Sequence, residues 1–440
     1  MNQLRKYVSR SRPVWLVSLV MLAAHAGCGG ANAPANGGAT AGGDNSGTNG
    51  NGSNGNGSNG NGGSGDGGAG GGSTGTGTGT PVPTTGNPFA GAQLYVNPDY
   101  AAEVDTSIAA DPADAAQLAK MKTYSTAIWL DSIAKVARVG AYLDDAAKQQ
   151  AASGKPVTTV FVIYDLPGRD CHANASNGEL SLSAGDQSRY KSEYIDAIAA
   201  AFAAHPNQRI VGIVEPDSLP NLATNMSDPR CAAADSIYRD SVAYAIKKLA
   251  AANASLYIDA AHSGWLGWPN NLTASATIFS QVLQAAGGAD KIRGFATNVA
   301  NYSVLNETPE QFDYQGNPCH DELTYAQKLG QALAAAGISN KSFLIDTSRN
   351  GRGDIRQQWG SWCNVHGAGI GARPVADPAP GIDAYYWVKP PGESDGTADS
   401  AAPRFDQACS NADATPGAPQ AGEWFSSSFI NLVKNANPPL

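Results

Sequence analysis

The alternation of short apolar runs with amphipathic helical patterns constrains the fold of this chain more than any other feature. Runs rich in β-branched residues are typical of buried strands, and they lie at Thr126–Leu130, Thr158–Tyr164, Ile210–Val214, Ser255–Ala260, Gly294–Asn298, Ser342–Asp346 and Ala384–Val388. Segments with the helical period separate most of them, at Ser132–Ala147, Ser188–Ala204, Ser236–Ala252, Ala274–Ala286 and Glu322–Ala336. Repeated strand–helix units require a parallel sheet, which right-handed crossovers close into a barrel. We therefore predict an α/β fold, a (β/α) barrel of about seven parallel strands.

Acidic residues follow two of these runs at the point where a strand cannot continue. The first stretch is VFVIYDLPGRDC (160–171), in which Pro167 and Gly168 break the strand before Asp170. The second is IVGIVEPD (210–217), which ends in Asp217. Solvated carboxylates on two capped turns are the alternative for either stretch alone. The two stretches together favour a catalytic site at the carboxyl ends of the strands.

Other polar and aromatic residues also fall at or just beyond the carboxyl end of a predicted strand. In a parallel barrel these ends converge on one mouth, so residues that are distant in the sequence meet there. The predicted set comprises Trp129, Tyr164, Asp217, Asp259, Asn298, Arg349 and Lys389. We expect the functional site in this mouth.

The first 26 residues have the pattern of a secretory signal peptide. Lys6, Arg10 and Arg12 precede an apolar run at 14–24, which is too short to span a membrane. Two cleavage patterns compete: AHA (24–26) suits cleavage after a small residue, whereas AGC (26–28) resembles a bacterial lipoprotein box. We favour the lipoprotein, because a lipid anchor at Cys28 explains a lone cysteine ahead of a long linker. The protein is then either secreted or anchored at the outer surface.

Residues 27–86 are predicted to form a disordered linker, and residues 87–440 a single catalytic barrel domain. Gly, Asn, Ser and Thr dominate the linker, which cannot bury enough apolar surface to offset its ordering entropy. The net charge of the chain is −9, and no basic run follows the signal region. This charge argues against nucleic acid as a partner and is compatible with a neutral polymer. We expect a monomer.

The two acidic stretches resemble the signature motifs of a known enzyme family. YDLPGRDC (164–171) and EPDSL (215–219) are similar to the two signature motifs of glycoside hydrolase family 6. Further similar motifs extend the resemblance over roughly 87–440, among them LYIDAAHSGWLGWP, GFATNVANYS, FLIDTSRNG, WGSWCNVHGAGIGARP and YYWVKPPGESDGT. The resemblance implies an inverting hydrolase that cuts β-1,4-glucosidic bonds in cellulose without a cofactor. It also implies a distorted barrel of seven parallel strands.

Inverting hydrolysis needs a carboxylic acid that protonates the leaving oxygen and a carboxylate that activates water on the other face of the sugar. The resemblance implies that Asp217 is the general acid, and the nearby charge of Asp170 is expected to raise its pKa. An ion pair between Asp170 and Arg169 is the alternative, and it would leave Asp217 unperturbed. Asp395 matches the family's candidate for the base, which could act through a chain of waters.

The resemblance also assigns roles to residues beside the two carboxyl groups. Ser176 would position the reacting water, and Tyr164 would crowd the sugar ring and favour its distortion. A buried tyrosine at a strand end is otherwise ordinary core. Asp259 is expected either to anchor the barrel by hydrogen bonds or to touch the substrate.

Aromatic and polar residues in the mouth are expected to bind successive glucose units, because the C–H faces of sugars stack on aromatic rings. The residues that match the family's stacking positions are Trp129, Trp265, Trp268 and Trp362. Lys389 and Glu393 would bond sugar hydroxyls, and Asn298 joins them as a strand-end residue. Arg349 would order the loops around them.

Five of the six cysteines follow the linker. The resemblance pairs Cys171 with Cys231 and Cys363 with Cys409, although sequence alone leaves the connectivity open. Cys319 has no counterpart in the family and is expected to be a free thiol. Metal binding is the alternative use of these residues, but no Cys-x-x-Cys or His-x-x-x-His spacing supports it, and we predict no metal site.

The long segment from Gly392 to Trp424 bears on how the enzyme attacks its substrate. It resembles the tunnel-roofing loop of fungal cellobiohydrolases, so release of cellobiose from chain ends is the leading hypothesis. Endo-acting relatives have shorter segments around the cleft, and an endo-acting β-1,4-glucanase is the alternative. A non-catalytic glucan-binding protein would be expected to have lost Asp217 or Asp170, and both are present.

Overall fold

A computed structural model describes residues 86–440 apart from 251–253, 307–315, 354 and 358–359. These residues belong to one compact unit. The predicted signal peptide, Cys28 and the linker up to residue 85 lie outside the described residues, and the expectations about them stay predictions. No helix in the described part of the chain is long and apolar enough to cross a membrane.

The described strands form a single sheet in which all neighbours but one are parallel. They are β1 (Gln93–Leu94), β2 (Ile128–Leu130), β3 (Val157–Ile163), β4 (Arg209–Val214), β5 (Ala254–Asp259), β6 (Gly294–Thr297), β7 (Ser342–Asp346), β8 (Val375–Ala379) and β9 (Ile382–Tyr386). The order is β1-β3-β4-β5-β6-β7-β9-β8, and β8 pairs antiparallel with β9. Strand β2 pairs with the second half of β3, along the same edge that β1 occupies at its first half.

The sheet closes on itself where β2 meets β9. Thr126 and Trp387, next to the two strands, form a parallel bridge, and the Ala127 N–H donates to the Trp387 carbonyl oxygen at 3.0 Å. The closed ring therefore consists of β2, β3, β4, β5, β6, β7 and β9, which correspond to the seven apolar runs of the sequence. The predicted barrel of parallel strands is confirmed, with a narrow and irregular join that makes it a distorted barrel.

Helices cover the outside of the ring and both ends of the described chain. They are α1 (Pro98–Ala110), α2 (Ala115–Ala119), α3 (Ile133–Val136), α4 (Val139–Ser153), α5 (Ala184–Arg189), α6 (Asp196–Ala203), α7 (Ser218–Thr224), α8 (Pro229–Leu249), α9 (Ser263–Leu266), α10 (Pro269–Ala286), α11 (Glu322–Ala335) and α12 (Ser426–Lys434). Helices α5 and α6 are continuous through a π-helical turn at Tyr190–Ile195. Helices α1 and α12, which the sequence did not predict, pack together at the chain's two ends.

The strands are apolar on both faces because two separate cores lie on the two sides of the sheet. Val160 and Val162 of β3 belong to a cluster built from the inward side chains of the ring. Phe161 and Ile163, which alternate with them, belong to a larger cluster shared with the outer helices. A strand that is buried on both faces reads as a continuous apolar run, which explains why the sequence located these strands.

The predicted disulfide pairing is confirmed. Cys171 is bonded to Cys231 and Cys363 to Cys409, each with 5.0 Å between the Cα atoms. Cys319 is a buried free thiol whose sulfur donates to the Gly267 carbonyl oxygen at 3.4 Å. It lies behind the loop that carries Trp265 and Trp268, away from the other cysteines.

Candidate active site

A cavity of about 600 Å³ lies at the carboxyl ends of the parallel strands. Its walls bring together eleven of the twelve side chains that were predicted for catalysis or substrate binding. These are Trp129, Tyr164, Asp170, Ser176, Asp217, Trp265, Trp268, Trp362, Lys389, Glu393 and Asp395. The remaining one, Asn298, is buried behind the cavity.

Asp217 is held on the turn between β4 and α7. Its backbone is left-handed, with φ 61°, and so is that of Asp170, with φ 48°. Such conformations are costly for residues other than glycine and persist where the surroundings fix them. The Asp217 N–H donates to Asp259 Oδ2 at 3.0 Å, and its carbonyl oxygen accepts from Asn221 Nδ2 at 2.6 Å. These bonds fix the backbone and point the side chain into the cavity.

The carboxyl group of Asp217 is electrostatically disfavoured as an anion. Burial raises its pKa well above the usual value, and the charges of Asp170, Asp259 and Asp395 raise it further. Among the described residues its carboxyl oxygens have no hydrogen-bond partner that would favour ionisation. The protonated form of Asp217 is therefore favoured, and its carboxyl group faces the cavity.

Asp170 ionises more readily than Asp217. Burial raises its pKa to about 6, and contacts with Asn221 and Ser176 limit the rise. Asn221 Nδ2 donates to Asp170 Oδ1 at 3.1 Å, so one side chain fixes both acidic turns. Within this pair, ionisation is therefore disfavoured more strongly at Asp217 than at Asp170.

Arg169 does not form the ion pair with Asp170 that was the alternative explanation. Its guanidinium donates to the carbonyl oxygens of Ser176 at 2.7 Å and Asp131 at 2.9 Å, and also to that of Tyr164. Its nearest carboxylate partner is the buried Asp165, at 3.8 Å. Arg169 therefore ties the backbone around the site and leaves Asp170 free to act on Asp217.

Asp395 has the opposite surroundings, because hydrogen-bond donors enclose its carboxylate. Arg349 Nη1 lies 2.8 Å from Oδ1 and 2.9 Å from Oδ2. The Tyr302 hydroxyl donates to Oδ2 at 2.7 Å, and the Asn364 N–H donates to the same atom at 2.9 Å. Oδ2 thus carries three bonds and Oδ1 only one. Tyr302 and Asn364 were missed by the sequence analysis, although both lie within the motifs that carry the family resemblance.

The wall around Trp129 combines an aromatic surface with an ion pair. The Trp129 Nε1–H donates to the Val388 carbonyl oxygen at 2.8 Å, and its ring meets that of Tyr164 edge-on at 5.1 Å. Lys389 Nζ lies 5.2 Å from the Trp129 ring centre and 3.2 Å from Glu393 Oε2. An aromatic face beside a cation and a carboxylate suits a sugar ring with its hydroxyl groups.

A second aromatic wall is formed by Trp265, Trp268 and Trp362. The Trp265 Nε1–H donates to Thr224 Oγ1 at 2.7 Å, which fixes that ring on the end of α7. His262, which the sequence analysis missed, also lines the cavity, and burial lowers its pKa to about 3. It is therefore neutral and can exchange hydrogen bonds with hydroxyl groups.

Two strand-end residues support the site from behind. Asn298 is fully buried: its Nδ2 donates to the carbonyl oxygens of Ser303 at 3.1 Å and Asp346 at 2.8 Å, and its Oδ1 accepts from the Ser303 N–H at 3.0 Å. Asp259 accepts from the backbone of Asp217 and Ala261. Of the two roles considered for Asp259, the anchoring one matches these contacts.

Two loops meet at the edge of the cavity. Six residues of the segment 392–424 line it, namely Glu393, Ser394, Asp395, Arg404, Ala421 and Gly422. Asp406 of the same segment accepts from the N–H groups of Asn174 and Ala175 in the loop that follows Asp170. Within the described residues, no group of three or more His, Cys, Asp or Glu side chains is arranged to hold a metal ion.

Comparison with known proteins gives consistent results. Residues 89–436 match the family model described as Glycosyl hydrolases family 6. Exoglucanase 3 of Agaricus bisporus is 45% identical over 358 residues, which cover 81% of this chain and 80% of that protein. The CcCel6A catalytic domain complexed with p-nitrophenyl β-D-cellotrioside is 46% identical, with a TM-score of 0.78 over 81% of this chain and 99% of its own. Cellobiohydrolase II (Cel6A) from Humicola insolens, in complex with glucose and cellotetraose, is 39% identical, with a TM-score of 0.78 over 81% of this chain and all of its own.

Proposed function

The chain belongs to glycosyl hydrolase family 6, and from this premise we propose that it is an extracellular cellobiohydrolase. It cleaves β-1,4-glucosidic bonds of cellulose with inversion and releases cellobiose from chain ends. The observation that carries this proposal is that the buried Asp217, whose anion is disfavoured, shares one cavity with the arginine-bound Asp395. Inversion requires one carboxyl group in each of these two states.

In this mechanism Asp217 protonates the leaving oxygen. The group holds its proton at neutral pH because burial and neighbouring carboxylates disfavour its anion. The raised pKa keeps the proton on Asp217 until a glycosidic oxygen lies within reach. Asp170 acts on the reaction through its charge, which raises the pKa of Asp217.

Asp395 accepts the proton of the attacking water. Its Oδ2 is occupied by Arg349, Tyr302 and Asn364, whereas Oδ1 has one bond from Arg349 and keeps a lone pair for water. Ser176 lines the same cavity and can hold the water, or a chain of two waters, between Asp395 and the sugar.

Substrate binding follows from the two aromatic walls. The sugar next to the cleaved bond lies against Trp129 and Tyr164, whose rings meet edge-on and both line the cavity. Lys389 and Glu393 bond its hydroxyl groups. The leaving part of the chain stacks on Trp265, Trp268 and Trp362.

Attack at chain ends is favoured over internal attack by the contact between the two loops. Asp406 joins the segment 392–424 to residues 174 and 175 beside the cavity. A substrate enclosed by joined loops is threaded from an end, whereas an endo-acting enzyme needs an open cleft. Both Asp170 and Asp217 are present and placed for chemistry, which argues against a non-catalytic glucan-binding protein.

Cellotetraose hydrolysis followed by NMR tests the reaction. The newly formed reducing end should appear first as the α-anomer, and the main product should be cellobiose. A β-anomer as the first product would exclude inversion. We further propose that the protein is exported, acts as a monomer and is lipidated at Cys28. Mass spectrometry of the mature N-terminus tests the last point, because simple secretion would leave Cys28 unmodified.

A further inference from the structure

The segment from His172 to Ala175 is bonded on its inner side to the segment 392–424. Asp406 Oδ2 accepts from the Asn174 N–H at 2.8 Å and from the Ala175 N–H at 3.3 Å. The other oxygen, Oδ1, accepts from the Ala408 N–H at 2.9 Å. One carboxylate therefore fixes the 172–175 segment and also the turn that carries Cys409.

The two loops are in direct contact beside this joint. A Cβ atom placed on Gly396 would lie 2.7 Å from the Ala175 Cβ and 2.9 Å from the Cys409 sulfur. Any side chain at Gly396 would therefore force the loops apart. Because the contact is this close, we expect the 172–175 segment to move only when the hydrogen bonds from Asn174 and Ala175 to Asp406 break.

Arg230 holds the same segment from the outer side. Its Nη1 donates to Asn174 Oδ1 at 2.7 Å, and its Nη2 donates to the His172 carbonyl oxygen at 3.1 Å. Nη2 also lies 2.9 Å from Asp228 Oδ2, an atom that is 3.2 Å from His172 Nδ1. These contacts supplement the Cys171–Cys231 disulfide, because they hold His172 and Asn174, which lie beyond Cys171 in the loop.

The segment carries a catalytic group at each end. Asp170 precedes it, and Ser176 follows it. The Ser176 side chain affects the pKa of both Asp170 and Tyr164, so it lies close to both groups. Asp406 and Arg230 do not line the cavity themselves, within the residues described. They bond to this segment, and their charges also act on Asp170.

Building on the proposed cellobiohydrolase function, we propose that Asp406 and Arg230 are positioning residues that clamp residues 172–175 from both sides. The clamp fixes Ser176 against the reacting water and joins the two loops over the substrate. Bonds from amide donors to a carboxylate, and from a guanidinium to carbonyl oxygens, are charge-assisted and stronger than neutral ones. Displacing a catalytic group by about 1 Å can cost ~10²-fold in rate.

Hydrogen exchange tests the joint independently of activity. In Asp406→Ala the amides of Asn174 and Ala175 lose their acceptor, so exchange in a peptide covering 172–177 should accelerate at least about tenfold. Asp399→Ala is the matched control, because Asp399 caps the Ala401 N–H at 2.9 Å in the same loop and is exposed. Unchanged exchange of that peptide in Asp406→Ala would overturn the proposal.

Steady-state kinetics on cellotetraose test the positioning role. We expect kcat to fall about 10–100-fold in Asp406→Ala with KM changed by less than about threefold, since water rather than sugar is misplaced. Asp406→Asn keeps one acceptor oxygen and should recover part of the rate. Arg230→Ala should lower kcat, whereas Arg239→Ala, on the same helix but bonded to Asp235 and Gln281, should not. Equal losses in each variant and its control, at equal thermal stability, would contradict the role.

The two proposals fail in different ways. If the wild type attacks internal bonds, the cellobiohydrolase proposal fails, while accelerated exchange in Asp406→Ala still supports the clamp. If the wild type releases cellobiose from chain ends and exchange in Asp406→Ala is unchanged, the clamp alone is wrong.

Discussion

The two aspartates that share the cavity differ in what holds them. Asp217 lies on a short turn between β4 and α7, and its backbone is bonded to Asp259 and Asn221 of the barrel. Asp395 lies on a long segment without strands of its own, and its carboxylate is fixed by Arg349 and Tyr302. The barrel thus positions the first group, and a loop with a buried cation positions the second.

Their surroundings also differ in charge and in hydrogen bonding. Burial and like charges raise the pKa of Asp217, whereas Asp395 faces the Arg349 guanidinium and two further hydrogen-bond donors, Tyr302 and Asn364. One carboxyl group is thereby prepared to give a proton and the other to take one. Pairs of titratable groups with opposed environments are the usual basis for assigning an acid and a base.

The largest effect should follow from removing the acid. Asp217→Ala is expected to lose ~10²–10⁴-fold in hydrolysis of cellotetraose, because the proposed general acid is removed. Binding of cellotetraose, followed by tryptophan fluorescence, should be nearly unchanged. A cellobioside whose leaving group needs no proton should be hydrolysed much closer to the wild-type rate. Near-normal turnover of cellotetraose by this variant would remove Asp217 from its role.

The positioning of Asp395 is tested by removing the guanidinium of Arg349. Arg349→Met leaves the buried carboxylate without a charged partner, which typically costs about 3–5 kcal/mol of stability. The double variant Arg349→Met/Asp395→Asn removes both charges and should recover much of that loss, as measured by urea unfolding. If the two single variants and the double variant show additive losses, the pair is not what fixes Asp395.

The charge of Asp170 should have a smaller effect, on the pH dependence. Because this charge raises the pKa of Asp217, Asp170→Asn should lower that pKa, and the protonated fraction at neutral pH should fall. The alkaline limb of the kcat/KM profile should therefore move to lower pH, with rates on that limb falling roughly tenfold. Burial is the larger cause of the shift and remains, so a bell-shaped profile should persist. An unmoved alkaline limb would separate Asp170 from Asp217.

The sequence predicted the barrel and the acidic turns better than it predicted the loop side of the site. Strands buried on both faces give apolar runs, and Asp170 and Asp217 follow such runs within a few residues, so both are visible locally. Strand β8 was missed because it lies at an edge, contains Pro378 and is largely exposed. Helix α1 was missed although Asn97 caps it.

The partners of Asp395 could not be derived from local pattern. Asn364 reaches the carboxylate with its backbone N–H, which any residue but proline could supply. Tyr302 lies in irregular chain five residues beyond β6, where no periodicity marks it. Asn298 was correctly placed at a strand end, but its side chain was wrongly expected to bind substrate. Its backbone is left-handed, with φ 59°, and its side-chain amide donates to the carbonyl oxygens of Ser303 and Asp346 instead of facing the cavity.

The position of the loop that carries Asp395 depends on the Cys363–Cys409 disulfide. Opening this disulfide should disturb the surroundings of Asp395 and leave those of Asp217 intact. Cys363 and Cys409 are 46 residues apart and bring the far part of the segment 392–424 against Asn364, the neighbour of Cys363 that holds Asp395. Gly396 lies between the disulfide and Ala175, so the bond also supports the contact of the two loops. The Asp217 turn has no contact with this disulfide and should keep its geometry.

Cys409→Ser should therefore loosen the covering loop without removing the acid. A glucan chain that stays enclosed after each cut rebinds at a high effective concentration, and this advantage disappears when the enclosure opens. We expect the ratio of soluble to insoluble reducing sugar released from cellulose to fall a few-fold, and carboxymethyl cellulose to lose viscosity faster per bond cut. Cys319→Ser, which removes a thiol that is in no disulfide, is the control for handling and oxidation.

Because the Asp217 turn belongs to the barrel, hydrolysis of a short activated cellobioside should change little in Cys409→Ser. If that activity falls as much as activity on cellulose, the two sides of the cavity are not held independently. If the wild type already thins carboxymethyl cellulose steeply, the loops do not enclose the chain, and the enzyme is an endoglucanase.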